Sequence, residues 1–126
     1  MKVVKKIVAI LSLLLVVNSL QAQTSIKPEQ AKDHMGDTVQ ICARVLEGKY
    51  LLHAKDAPTR LYMGSRQPTP DITIVINENV RIRMKYDPEK KLVNKQVCVR
   101  GRITTYEGRP AIILASPADI EDMQEK

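Results

Sequence analysis

The stretch Val97 to Leu114, "VCVRGRITTYEGRPAIIL", decides how the chain is to be read. Val97, Val99 and Ile103 alternate with Cys98, Arg100 and Arg102, then "TTYEG" interrupts, and the apolar run "PAIIL" follows. Alternation with period two marks a half-buried strand, and a short link containing glycine before a second apolar run marks a hairpin. One outward face thus carries a thiol and two guanidinium groups. What a thiol does there depends on the compartment.

The start of the chain bears on that. A basic "MKVVKK" precedes "IVAILSLLLVV", Ile7 to Val17, which is apolar except for Ser12. This is the order of a secretory signal peptide, and the run is short of the ~20 residues a membrane-spanning helix needs. Cleavage is expected near Ala22, making residues 1–22 a signal peptide and 23–126 the mature domain, with no membrane span after cleavage. The expected location is periplasmic or secreted. The signal segment holds three of the 20 lysines and arginines and none of the 14 acids, so the charge surplus falls from +6 to +3 on cleavage. Such a surplus is compatible with a polyanionic partner without demanding one. The 104 remaining residues suffice for one compact domain.

Outward from the hairpin, the pattern repeats. "TVQICARVL", Thr38 to Leu46, puts Val39, Ile41, Ala43 and Val45 on one side and Gln40, Cys42 and Arg44 on the other. "TRLYMG" sets Thr59, Leu61 and Met63 against Arg60 and Tyr62, and "DITIVIN" turns Ile72, Ile74 and Ile76 inward, leaving Thr73 and Val75 outward. "KPEQAKDHMGD" predicts a short helix, with Pro28 at its start and Gly36 as its stop. Residues 78–94 are expected to form an irregular or partly helical connector, and "PADIEDMQEK" at most one helical turn before a frayed end. Five short strands with a connector after the third and a hairpin between the last two describe an all-β, five-stranded barrel with a short N-terminal helix. A sandwich would want about seven strands.

"KPEQAKDHMGDTVQICARV" followed by "NKQVCVRGRITTYEGRPAIILASPADI" resembles small exported bacterial proteins with an oligonucleotide/oligosaccharide-binding (OB) fold, related to the anticodon-binding type of nucleic-acid module. The shared pattern is a helix ending in Gly, a strand carrying Cys, a Val-Cys-Val strand, Tyr-x-Gly-x-Pro, an apolar strand and Ser-Pro-x-x-Ile. The resemblance implies that the strands carrying Cys42 and Cys98 are antiparallel neighbours. A direct Cys42–Cys98 pairing would then set Arg44 opposite Gln96, Gln40 opposite Arg100, Ile41 opposite Val99 and Ala43 opposite Val97. With two cysteines in a chain expected to be exported, the alternatives are one cross-strand bridge or two free thiols.

The resemblance also implies a ligand face on the second and third strands, flanked by the loop after the first strand and by the final hairpin. Candidate contacts are Lys49 and Tyr50 near the first loop, Arg60 and Tyr62 on the second strand, Thr73 and Val75 on the third, Arg66 in the turn between them, and Tyr106 and Arg109 at the hairpin. Bases would stack on Tyr62 while phosphates lay near Lys49, Arg66 and Arg109. For Tyr106 the competing reading is a ring packed on Pro110, and outward arginines also serve simply to keep strand edges soluble. No nucleophile, phosphate-loop or metal spacing is present, so no enzyme activity, cofactor or metal is expected. The sequence points to a binding module for single-stranded nucleic acid or another polyanion, with an envelope protein or glycan as the alternative partner.

Overall fold

The computed structural model describes residues 24–123; the expected signal peptide, residues 1–22, lies outside the described residues. Strands β1 (Thr24–Ile26), β2 (Thr38–Tyr50), β3 (Thr59–Met63), β4 (Ile72–Ile76), β5 (Gln96–Tyr106), β6 (Arg109–Ile113) and β7 (Ile120–Asp122) are joined by short helical segments. Those segments are a 3₁₀ stretch Pro28–Asp33, α1 (Glu78–Arg81), α2 (Pro88–Lys91) and a 3₁₀ turn Pro117–Asp119. No helix among the described residues is long and apolar enough to cross a membrane.

Strands β2, β3, β4, β6 and β5 close into a ring, because β2 is long enough to pair twice. Its first half runs antiparallel to β5 and its second half antiparallel to β3. The ring is completed by an antiparallel β3–β4 pair, a parallel β4–β6 pair and the β5–β6 hairpin. This connectivity is that of an OB-fold barrel. The two outermost strands were not expected: β1 pairs parallel to β2, and β7 pairs with β5.

The interior is aliphatic, as the alternation requires. Val39, Ile41, Val45, Leu61, Met63, Ile72, Ile74, Ile76, Val97, Val99, Ile103 and Ile112 are all fully buried. Gly101 takes an inward position on β5, where an added Cβ would stand 2.6 Å from Ile112 Cγ2. Glycine there lets β6 close against β5, a use of glycine found where barrel strands bend sharply. The hairpin turns on Glu107 and Gly108, which have φ of 52° and 76°, the left-handed pair that suits the twist of a two-residue link.

The β2–β5 register is the one anticipated from direct cysteine pairing. Cys42 stands opposite Cys98, with Arg44 opposite Gln96, Gln40 opposite Arg100, Ile41 opposite Val99 and Ala43 opposite Val97. The two cysteines form a disulfide with Cα atoms 4.0 Å apart. The neighbouring arginines have specific tasks. Arg100 Nη2 donates to the Ala118 carbonyl at 3.0 Å, and Arg102 Nε donates to the Gly36 carbonyl at 3.0 Å. Each therefore ties a flanking turn to β5. Gly36, with φ of 85°, ends the 3₁₀ stretch and donates its own amide to Ile103.

Candidate functional site

The outer face of β3 and β4 differs from its expectation in one respect that matters for function. Arg60 is paired in register with Val75, and Tyr62 with Thr73, so all four share the face turned away from the barrel interior. That face is nevertheless covered: Tyr62 is 2% exposed, Thr73 7% and Val75 0%. Gln67, Pro68 and Pro70 of the β3–β4 loop, together with Tyr106 and Glu107 of the hairpin, enclose a cleft over Tyr62 and Thr73. Alternation reports which face a residue takes. It does not report what a proline-bearing loop lays over that face. The expected base stacking on an open Tyr62 ring is therefore corrected, since the ring is already buried.

Arg60 holds the hairpin in place. Its Nη2 donates to Tyr106 Oη at 3.1 Å and to Glu107 Oε1 at 2.7 Å, and its guanidinium lies 5.1 Å from the centroid of the Tyr106 ring. Burial works against its charge, but the Tyr106 and Tyr62 hydroxyls and the Glu107 carboxylate outweigh that effect, so the pKa of Arg60 stands above its ordinary value. Arg60 Nε and Tyr62 Oη are both buried, and neither makes a hydrogen bond of good geometry among the described residues, although the Tyr62 oxygen lies near enough to Arg60 to favour its charge. Arg109 completes the lining of the cleft from the far side of the turn.

Five of the nine anticipated contacts, Arg60, Tyr62, Thr73, Tyr106 and Arg109, thus come together around one small cleft of about 90 Å³. The remaining four do not line it. Lys49 is opposite Arg60 in register and exposed, so it borders the same face. Arg66 is an exposed loop residue whose Nη1 lies 3.7 Å from Glu47 Oε1. Val75 lies beneath the covered face, too deep for contact.

Tyr50 is placed elsewhere by a bulge. Between Val45 and Glu47 the β2–β3 register slips, which reverses the phase of the strand so that Lys49 pairs with Arg60 and Tyr50 with Thr59. Tyr50 therefore meets the connector instead of the ligand face. Arg81 of α1 lies 3.6 Å from the centroid of its ring, and its hydroxyl donates to Glu78 Oε2 at 3.0 Å. Partial burial and the Glu78 carboxylate raise the pKa of Tyr50 above its ordinary value, against the opposing pull of Arg81. Arg81 also donates from Nη1 to Thr59 Oγ1 and to Glu89 Oε2, each at 2.6 Å, and from Nη2 to Asp87 Oδ1 at 2.9 Å. This cluster fastens α1 and α2 to the barrel. Sequence reading missed it because Arg81 precedes Asp87 and Glu89 by spacings that no regular helix brings together. Glu107 and Gln67 were also missed, and only the path of their loops reveals them.

Among the described residues no group of three or more His, Cys, Asp and Glu side chains is placed to hold a metal ion. The cleft offers hydrogen-bond donors and positive charge, and what it can do chemically is hold an anion.

No protein-family model matches the chain, and no curated protein matches it by sequence. Solved structures do resemble it. A protein assigned as an aspartyl-tRNA synthetase from Leishmania major Friedlin superposes with a TM-score of 0.52 at 12% identity, over 84% of this chain and 22% of that one. Asparaginyl-tRNA synthetase from Pyrococcus horikoshii gives a TM-score of 0.48 at 17% identity, over 82% of this chain and 23% of that one. The telomere capping protein Ten1 from Saccharomyces pombe gives 0.44 at 15% identity, over 82% of this chain and 83% of that one. The chain spans less than a quarter of either synthetase. At such identities the likeness concerns the fold alone.

Proposed function

We propose that this chain is an exported OB-fold binding module for single-stranded nucleic acid or a comparable polyanion, and that it is not an enzyme. The observation that carries this reading is the convergence of Arg60, Tyr62, Tyr106 and Arg109 on one cleft between the hairpin and the β3–β4 loop, with exposed Lys49 at its border. Cation-bearing loops beside a strand face suit a phosphate backbone, which is the main source of affinity in sequence-independent binding. Export is supported by the basic-then-apolar N-terminus and by the Cys42–Cys98 bridge, since disulfides persist in oxidising compartments. The ligand strand runs over the loops, because the sheet beneath them is covered.

Fluorescence anisotropy of the protein with labelled single-stranded oligonucleotides, at low and physiological salt, tests the reading. Binding that weakens steeply with salt is expected. Absence of binding at low salt would overturn it and favour an envelope protein or glycan as partner.

A further inference from the structure

Two polar groups that line the cleft are left incompletely satisfied among the described residues. Tyr62 Oη and Arg60 Nε are buried and make no hydrogen bond of good geometry among the described residues, although buried polar groups are almost always satisfied. The Tyr62 oxygen lies near enough to Arg60 to favour its charge, which still leaves the hydroxyl proton without an acceptor. Glu107, the one acid lining the cleft, takes Arg60 Nη2 at 2.7 Å and leaves Nε open. Arg109 is exposed at the mouth of the cleft, and Thr73 and Gln67 contribute neutral polar groups to its lining. Two guanidinium groups against one carboxylate leave a positive surplus. At about 90 Å³ the space suits a few waters or one tetrahedral oxyanion, whereas pockets that enclose whole small-molecule ligands measure ~300–1,000 Å³.

We infer that this cleft is a seat for a single phosphate group, held by Arg60 Nε, the Tyr62 hydroxyl and Arg109, with Glu107 as the internal carboxylate that competes for Arg60. The inference deepens the nucleic-acid reading and rests on it for the source of the phosphate. A phosphate at the end of a strand fits better than one within it. The loop and the hairpin wall the cleft on both sides, and the buried floor of Tyr62 and Thr73 leaves no path for a continuous chain of bases. A terminal phosphate also carries the greater charge. Guanidinium–phosphate bonds are charge-assisted and geometrically specific, so the terminal group is recognised as well as attracted.

The full chain is titrated at fixed ionic strength with inorganic phosphate, and with short oligo-dT strands bearing a 5′-phosphate, a 3′-phosphate or hydroxyl ends only. A phosphorylated end is expected to strengthen binding about tenfold, the scale of one hydrogen bond to a charged group. Tyr62→Phe, which removes a single oxygen, is expected to cut that advantage to less than about threefold, and Arg109→Gln to do likewise. Glu107→Gln is expected to tighten inorganic phosphate, because the competing carboxylate is gone. Equal affinity for phosphorylated and hydroxyl ends would overturn the seat while leaving the nucleic-acid reading intact, because internal phosphates would then suffice. Phosphate binding that depends on Tyr62, in a protein that binds no strand, would sustain the seat and overturn the nucleic-acid reading. An advantage fully retained in both Tyr62→Phe and Arg109→Gln, with thermal melting unchanged, would also overturn the seat.

Discussion

Arg81 shows how much of a small barrel's order hangs on a few side chains. Its side chain is 10% exposed and that of Glu89 13%, so this is a nearly buried ion pair, with Asp87, Thr59 and the Tyr50 ring completing the surroundings of the guanidinium. Glu89 outweighs the cost of burial and raises the pKa of Arg81, which keeps it charged at every accessible pH. Arg81→Met would strand the Glu89 carboxylate at a site built for a cation, and breaking such a pair from one side costs ~3 kcal/mol or more. Urea denaturation should show a loss of that order with an unchanged slope; a loss under about 1 kcal/mol would mean the cluster is ornamental. Tyr50 gives a second test at this scale. Its folded pKa lies above its unfolded value near 10, so the folded chain keeps the proton longer. The stability this contributes is complete below the unfolded value and is lost as pH climbs through the folded one. Ultraviolet titration of tyrosinate should contain a late component that Tyr50→Phe removes.

Among the elements, the strands whose residues alternate were legible, and the pieces that depend on a partner were not. β2, β3, β4 and β5 carry mostly aliphatic residues at every second place, β6 is a continuous apolar run, and the existence of all five follows from those patterns. β1 and β7 span three residues each, too few to show any period, and they exist because β2 and β5 offer them an edge. The bulge after Val45 is equally silent, since nothing in "VLEGKY" announces an extra residue, yet it decides that Lys49 borders the cleft and Tyr50 does not. The disulfide joins β2 to β5 across a separation of 56 residues. For a loop of that length the chain-entropy account gives about 4 kcal/mol as an upper figure. Replacing both Cys42 and Cys98 with Ser should lower the unfolding free energy by about 2–4 kcal/mol and leave the fold intact. Unreduced, denatured protein that takes up two equivalents of alkylating reagent would show that the bridge is not there to lose.

At the scale of the whole molecule the arginines divide by what they already hold, and that division could not be had from a sequence in which all of them look alike. Arg100 and Arg102 are spent on the carbonyls of Ala118 and Gly36, Arg81 on the connector, and Arg83 on the Ala115 and Asn79 carbonyls. Arg109 and Lys49 stand exposed at the cleft and its border, and so they are cations that a polyanion can reach at this face without dismantling the barrel. Net charge is the same whichever arginine is removed, which allows long-range attraction to be separated from contact. Arg109→Gln and Arg100→Gln should therefore be compared side by side, at several salt concentrations, for binding of a single strand. Loss of a true phosphate contact flattens the plot of log affinity against log salt by ~0.7, whereas loss of a distant charge shifts it only slightly. Arg109→Gln should show the flattening, and Lys49→Gln should show it too. Arg100→Gln should keep the wild-type slope and instead lower stability slightly, through the freed Ala118 turn. Equal slopes for all three variants would mean that the protein meets its ligand as a diffuse charge, with no face set aside for it.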